Sequence, residues 1–460
     1  MNPLMSWFDR TILDLGRQMR LTYLPPLMVY LAAGISSLTA VVGAFFVKDH
    51  LDLSAEFLAG LGFWAGLPWA LKMPLGHLVD LIWRYKSVLV YLGASLIATS
   101  LLIMLGLLLE PAQMATLWPS RNWYVLAVLL GPIGYVLQDV VADAMTVEAV
   151  PRFAADGQPL SDEVIKLGHT TMQMLGRVAI IGGGAVVPAV SYLLVGDTTG
   201  MDKAAKLLVY ARVYAVALVI PLLSVAGVLL MGLLLRREAR RRRAAGLPVE
   251  SERVERPPVN WWIMGGGLLF AAIALGVGLT GFEYAQELIF AASFLVIGFL
   301  LLRLLRELSP AARATMVGTA ILIFVYRALP LAGDGIGWWQ IDALGFDEQF
   351  LNVLQMIGAI LTFVGLFLFR RFIAEHSITY IVAWLTLLLT ALSLPTLGMA
   401  HGLHTWTAAH SDGVVDARFI AVFNTALESP LGQVAMIPML AWIANSAPER
   451  LKATYFAVMA

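Results

Sequence analysis

Long apolar runs recur along almost the whole chain. Twelve of them have about 20 residues or more, the length that an α-helix needs to cross a hydrocarbon core of about 30 Å. They lie at 25–48, 57–79, 87–109, 122–148, 168–195, 207–235, 260–281, 286–306, 314–337, 348–369, 377–400 and 419–445. With 59% hydrophobic and 13% charged residues, the composition excludes a water-soluble globule. The runs predict an all-α polytopic membrane protein, because backbone groups in lipid must bond internally.

The basic residues predict the orientation of these helices. One set of alternate segments, which includes the N-terminus, holds most of them, with eight arginines between 236 and 256. The opposite loops hold only Lys48, Arg121, Lys203, Lys206 and Arg418. The positive-inside rule therefore places the N-terminus in the cytoplasm, and a bacterial inner membrane is the expected location. Residues 1–24 lack a cleavage pattern and are expected to form a cytoplasmic amphipathic segment.

A weak internal repeat predicts two halves. A shift of 293 lays 49–58 over 342–351 with the same Asp, Leu, Phe and Leu, and both stretches enter a helix from an outer loop. The offset exceeds one six-helix half by about two helices. The predicted parts are an N-terminal bundle at 25–235, an Arg-rich cytoplasmic linker at 236–258, an inserted helical pair at 259–310 and a C-terminal bundle at 311–460. The last has four spans and the start of a fifth, and is expected to be incomplete.

Short motifs in a fixed order resemble a known family. Gly76, Leu78, Asp80 and Arg84 match part of the loop motif between the second and third helices of the major facilitator superfamily, with Trp83 where glycine is usual. More specific likeness comes from four segments, which together resemble the folate-biopterin transporter family. These segments are 67–72, 139–144, 327–330 and 438–440, the last followed by 449–456.

This resemblance implies a major facilitator fold of two helical bundles that works by alternating access. It also implies uptake of a small-molecule organic anion, folate-like or pterin-like, with coupling to protons left open. The lipid bilayer is the expected surrounding, whereas neither a cofactor nor a nucleic acid partner is expected. No nucleotide, nucleophile or metal motif accompanies the intramembrane carboxylates, so an enzyme is not predicted. The chain has 0 cysteines, which excludes disulfides and thiolate metal sites.

Charges inside the predicted spans are candidates for substrate binding, because such residues are costly in lipid and usually face a cavity or a partner. Cations there would bind substrate carboxylates, and carboxylates would accept N–H donors of a heterocycle or carry a proton. An aromatic residue beside Lys72 could stack on a flat ligand. The alternative is that these groups pair permanently and hold helices in register. The predicted binding residues are Lys72, Asp139, Arg177, Arg327, Glu428 and Trp69.

A second group of charges lies near the predicted cytoplasmic face. An ion-pair latch that closes the inner gate is the favoured role there, with substrate contact as the alternative. Asp139 and Asp143 are four residues apart on one helix face, so their carboxylates need a cation, either Lys72 or Arg177. From its matching depth, Asp139 is the expected counterpart of Lys72. The predicted gating residues are Asp80, Arg84, Lys86, Asp143 and Glu148.

Two functions of different classes fit these features. The first is secondary transport of an organic anion around a midplane site. The second is a non-transporting, facilitator-like scaffold or assembly factor for a membrane complex, suggested by the inserted pair and the incomplete second bundle. A membrane protein partner would then bind through residues 259–310.

Overall fold

The computed structural model describes residues 17, 19–151, 153–154, 158–196, 198, 200–246, 259–279, 282–306, 310–327, 335–369, 372, 376–432 and 434. These residues are almost all helical and include no β-strand beyond one isolated bridge between Phe153 and Pro159. The motif at 438–440, most of the N-terminal segment and half of the linker lie outside them.

We number the α-helices in chain order. They are α1 (Leu24–Gly34), α2 (Ala40–Phe46), α3 (Ala55–Ala70), α4 (Lys72–Leu81), α5 (Ser87–Leu109), α6 (Pro111–Leu117), α7 (Ser120–Ala149), α8 (Asp162–Val195), α9 (Lys203–Ala217), α10 (Val219–Ala244), α11 (Trp261–Leu279), α12 (Ala285–Arg306), α13 (Pro310–Arg327), α14 (Gly335–Asp342), α15 (Glu348–Leu368), α16 (Ile378–Ala400), α17 (Leu403–His410) and α18 (Ala417–Glu428).

Eight helical stretches in the described residues are long and apolar enough to cross a membrane, where the apolar runs predict twelve. They are Leu21–Leu51, Ser87–Leu109, Ser120–Thr146, Leu175–Val195, Lys203–Ala244, Trp261–Gly278, Glu348–Gly365 and Ile378–Ala400. Of the remaining predicted spans, 286–306 has a shorter apolar part, Ala285–Val296, and 314–337 and 419–445 are only partly described. The predicted span 57–79 is absent from this set because the helix breaks within it.

The predicted span 57–79 is two helices rather than one. The chain turns at Leu71, between α3 and α4, and the Leu71 N–H bonds back to the Pro68 carbonyl at 3.1 Å instead of to residue 67. Pro74 has no N–H with which to continue the α-helical ladder across this point. Lys72 is consequently the first residue of a new helix and not an interior residue of a continuous span.

The chain divides into two compact units. Unit 1 comprises residues 1–40, 64–187 and 202–264, and unit 2 comprises residues 41–63, 188–201 and 265–460. Within unit 1, α7 packs against α5, α1 and α4, while α10 packs against α1 and α5. Its core includes Val90, Val136 and Val141, all nearly inaccessible. This packing holds the charged groups of α4 and α7 next to each other.

Glycines set a close helix crossing in unit 1. An added Cβ on Gly134 of α7 would lie 2.5 Å from the Gly93 carbonyl oxygen of α5, and one on Gly93 would lie equally close to the Gly134 oxygen. Only glycine leaves room for two backbones at this distance, and membrane helices commonly use small residues in this way. The crossing brings α5 and α7 together four residues before Gln138.

Unit 2 is organised around α15 and α18. Phe346, Leu354 and Ala421 form a buried apolar cluster, and Gly365 lies directly against the backbone of Pro430, so that any Cβ would overlap it. Ion pairs join Lys48 to Asp342 and Arg418 to Asp347. The helix pair predicted as an insertion is present as α11 and α12, whose apolar residues are largely exposed.

Candidate functional site

A cluster of four charged or polar side chains lies between α1, α4 and α7 in unit 1. The Lys72 ammonium is 2.6 Å from an Asp139 carboxylate oxygen and 3.1 Å from an Asp143 oxygen. The Tyr30 hydroxyl donates a hydrogen bond of 2.6 Å to the other oxygen of Asp143. One cation thus bridges two carboxylates, and we call Tyr30, Lys72, Asp139 and Asp143 the charge cluster.

Local sequence explains half of this arrangement. Helix α7 continues unbroken through Asp139 and Asp143, so their spacing of four places both carboxylates on one face. The break at Leu71 starts α4 at Lys72 and directs its side chain at that face. Lys72 at a helix N-terminus faces the positive end of the helix dipole, which makes compensation by carboxylates more necessary. The pairing of Lys72 with Asp139, expected from depth alone, is therefore present.

Tyr30 is the member of the cluster that the sequence analysis misses. It lies 113 residues before Asp143 in the chain and is only 5% exposed. Its ring is wedged against Gly176 of α8, where an added Cβ would lie 2.9 Å away. A tyrosine in an apolar run usually indicates core or interface packing, so no local signal marks this hydroxyl as a donor to a carboxylate.

Arg177 of α8 stands beside the cluster without joining it. Its guanidinium acts electrostatically on Asp139 and on Tyr30, but it forms no ion pair with any residue that the structure describes. The side chain is exposed although the surrounding helix is predicted to cross the membrane. Lys72 is compensated by two carboxylates, whereas no described carboxylate lies within ion-pair distance of Arg177.

The other predicted binding residues do not join the cluster. Trp69 is 47% exposed, three residues before Lys72 and on the other side of the helix break. Glu428 lies in unit 2, is exposed, and accepts a hydrogen bond of 3.2 Å from the Asn424 amide. Arg327 ends α13, and its side chain lies outside the described part of the structure.

Unit 2 contains buried polar groups that the sequence analysis did not single out. The Thr198 hydroxyl donates to the Glu348 carboxylate at 3.0 Å, and both residues are buried. One turn further along α15, Asn352 is fully buried, and within the described residues neither polar atom of its side chain has a hydrogen-bond partner. Among the described residues no group of three or more metal-ligating side chains could hold an ion.

The five predicted gating residues separate into three situations. Lys86 and Glu148 form an ion pair of 2.9 Å, with both side chains mostly buried. Asp143 belongs to the charge cluster, whereas Asp80 and Arg84 are exposed and pair with no charged residue in the described segments. The part of the Asp80 carboxyl that is shielded from water still raises its pKa, and His77 opposes this shift. The role of these residues in gating stays a prediction.

Replacing Glu148 with glutamine should destabilise unit 1 by about 1 to 3 kcal/mol, because the nearly buried Lys86 ammonium loses its carboxylate. The Trp83 carbonyl at 3.4 Å and the Trp83 ring at 4.2 Å would still contact the amine, which limits the cost. Thermal unfolding in detergent measures the effect. Glu110→Gln, at the exposed opposite end of α5, is the control and should change little. Equal losses in both variants would contradict a stabilising pair.

The fold of the chain resembles those of solved transporters. The structure of a D-xylose–proton symporter aligns with a TM-score of 0.51 and 13% identity, over 95% of this chain and 84% of that one. A POT family transporter solved in complex with 5-aminolevulinic acid aligns with a TM-score of 0.51 and 14% identity, over 97% and 86%. At such identities the likeness shows the fold alone, which is the major facilitator fold.

Residues 33–460 match the BT1 family. The chain belongs to the BT1 family. One relative of this BT1-family protein is the folate-biopterin transporter of a Synechocystis species, 22% identical over 99% of this chain and 74% of the relative. The predicted family and fold class are thereby confirmed, and this BT1-family protein is a multi-pass membrane transporter rather than an enzyme.

Proposed function

We propose that the protein is a secondary transporter of a small organic anion, with folate-like and pterin-like compounds as its first substrate class. Alternating access of the major facilitator type is the mechanism that fits its fold. The observation that carries the proposal is the exposed guanidinium of Arg177 beside a compensated charge cluster. The name of the Synechocystis relative supports the choice of substrate class.

The charge balance favours Arg177 as the primary anion contact. Lys72 has two carboxylate partners within 3.1 Å, so its charge is already compensated. An arginine in the lipid itself is costly, and an exposed one within a span is best accounted for by a water-filled cavity. The planar guanidinium of Arg177 can donate two parallel hydrogen bonds to the two oxygens of a carboxylate, such as those that a folate carries. A substrate bound to Arg177 would then affect Lys72 only indirectly, through Asp139 and Asp143.

The cluster also supports proton coupling as part of the proposal. Two carboxylates share one ammonium, so Lys72, Asp139 and Asp143 together would carry one net negative charge with all three groups ionised. Uptake of a proton would neutralise them and weaken the hold of the cluster on Lys72. A substrate carboxylate and a proton could therefore be moved together. A cytoplasmic N-terminus and a bacterial inner membrane, indicated by the distribution of basic residues, complete the proposal.

Arg177→Gln should lower uptake of radiolabelled folate into proteoliposomes about tenfold or more, because charge-assisted bonds to the substrate carboxylate are lost. Arg177→Lys should retain part of the uptake, since it keeps the charge but not the bidentate geometry. The matched control is Arg212→Gln, another exposed arginine in a membrane-spanning stretch of unit 1 but away from the charge cluster.

Three results would contradict parts of this proposal separately. Equal uptake by the parent and Arg177→Gln would remove Arg177 from the site. Uptake unaffected by collapse of an imposed pH gradient would remove proton coupling. Absence of folate and biopterin uptake by the parent, with a monodisperse and thermally stable protein, would remove the substrate class.

A further inference from the structure

The two aspartates of the charge cluster are not equivalent. Asp143 has both oxygens occupied, one by the Tyr30 hydroxyl at 2.6 Å and one by Lys72 at 3.1 Å. Asp139 uses one oxygen for Lys72 at 2.6 Å, and its second oxygen has no hydrogen-bond partner among the residues that the structure describes. We propose that Tyr30 is a positioning residue that keeps Asp143 ionised and thereby assigns the exchangeable proton of the pair to Asp139.

The donor geometry supports this assignment. A phenol O–H that donates to a carboxylate stabilises the ionised form of that carboxylate. After protonation the same oxygen would either carry a hydrogen of its own or be a weaker acceptor, so the hydrogen bond would be lost or weakened. Tyr30 is held by burial and by the contact of its ring with Gly176, so its hydroxyl cannot easily turn away. Among the described residues the second oxygen of Asp139 has no such donor, so it can accept the proton directly.

The charged and titratable groups of the described residues that act on the pair are compatible with this division. Tyr30 comes from α1, Lys72 from α4 and Arg177 from α8, and the two aspartates both belong to α7. Lys72 contacts both aspartates and therefore does not choose between them. Arg177 acts on Asp139 without a direct ion pair. Tyr30 is the group that bonds to one aspartate only.

This assignment of the proton to Asp139 has a consequence for transport, which rests on the proposed function. When Asp139 takes a proton on its free oxygen, Lys72 loses one of its two anionic partners and stays attached to Asp143. Asp143 then acts as a fixed anchor through Tyr30, while the link between α4 and Asp139 weakens. Proton uptake would thus loosen one contact at the helix break and leave the other intact.

Reagent access alone predicts the opposite site, whereas the deeper burial of Asp139 favours the same site as the inference, because a carboxyl removed from water is more easily protonated. The change in labelling on removal of the Tyr30 hydroxyl is therefore the deciding measurement. The Asp143 side chain is 48% exposed and that of Asp139 is 16% exposed, so a reagent limited by access would reach Asp143 first. A lipophilic carbodiimide reacts with protonated carboxyls in membrane proteins, adding the carboxyl O–H across its C=N bond. Peptide fragmentation in a mass spectrometer then tells the two positions apart.

The experiment labels the full-length protein in liposomes with the carbodiimide across a pH series, without any transport substrate. In the parent we expect modification at Asp139. In Tyr30→Phe we expect the ratio of Asp143 to Asp139 labelling to rise about tenfold or more, the factor expected when a hydrogen bond to a charged group is lost. Tyr214→Phe is the control, since Tyr214 is likewise a buried tyrosine of unit 1 but belongs to α9, which contributes no residue to the charge cluster.

Two outcomes would overturn the inference. One is labelling of the parent mainly at Asp143, and the other is a Tyr30→Phe ratio equal to those of the parent and Tyr214→Phe. Asp139→Asn provides a second variant that keeps the shape of the side chain; its label should disappear, and transfer of comparable label to Asp143 would also overturn the inference. Because no substrate is used, a parent that fails to take up folate leaves this result intact and decides only the proposed function.

Discussion

Replacing Lys72 with methionine should destabilise unit 1 by about 2 to 4 kcal/mol and abolish transport, because Asp139 and Asp143 would then face each other without a cation. The two carboxylates lie one helical turn apart, and Lys72 contacts both. We place the cost below that of a fully buried pair, since the Lys72 and Asp143 side chains are 36% and 48% exposed. Thermal unfolding and uptake by the same preparation measure the two effects.

A compensating variant separates charge from packing at this position. Adding Asp139→Asn and Asp143→Asn to Lys72→Met removes all three charges with little change in side-chain volume, so most of the lost stability should return. Transport should not return with it, because the proton site is absent. If the triple variant is as unstable as Lys72→Met alone, the loss comes from the packing of the lysine stem and not from the uncompensated carboxylates.

Gly134→Val should prevent stable folding of unit 1, at a cost of about 3 kcal/mol, because the new Cβ would overlap backbone that no rotamer change can move. That atom would lie 2.5 Å from the Gly93 carbonyl oxygen and 2.7 Å from Ile97 Cγ1. Forcing α5 and α7 apart would also displace Gln138, which bonds to Ser224 at 2.9 Å. Monodispersity on gel filtration and thermal unfolding report the loss.

The matched control lies one turn earlier on the same helix. An added Cβ on Gly131 would have Ser100 Oγ at 3.7 Å as its nearest atom, which is ordinary contact. Gly131→Ala should therefore keep the melting temperature of the parent or raise it slightly, because alanine has the higher helix propensity. Gly134→Ala adds the same single carbon and should still lower the melting temperature, because its Cβ overlaps the Gly93 carbonyl oxygen. Comparable damage from Gly131→Ala and Gly134→Ala would show that helix flexibility, rather than the close crossing, explains the glycines.

Prediction from sequence succeeds where the cause is local. The run 87–109 coincides with α5, and 348–369 differs from α15 by one residue at its end, because the length of an apolar run directly limits a membrane-spanning helix. The run 57–79 is equally apolar, yet the helix breaks at Leu71. Pro68 and Pro74 are visible in the sequence, but prolines also occur inside helices here, as Pro132 does in α7.

The candidate site was only partly predictable from the sequence, because some of its contacts have local causes and others join residues far apart in the chain. The pairing of Lys72 with Asp139 follows from depths that the sequence provides, and the spacing of Asp139 and Asp143 follows from helical periodicity. Tyr30 could not be found in this way, since 113 residues separate it from Asp143. The Lys86–Glu148 pair was within the predicted gating group, but the partner of each charge was not specified.

The sequence alone determined that the chain is a polytopic helical membrane protein related to the folate-biopterin transporters, because apolar run lengths and short ordered motifs need no knowledge of packing. Only the tertiary structure decided that Lys72 begins a helix, that it bridges two aspartates, and that Tyr30 makes those aspartates unequal. The bridge and the Tyr30 hydrogen bond depend on contacts between helices distant in the chain. Hydropathy and periodicity do not encode the break at Leu71 either, because proline also occurs inside an unbroken helix here.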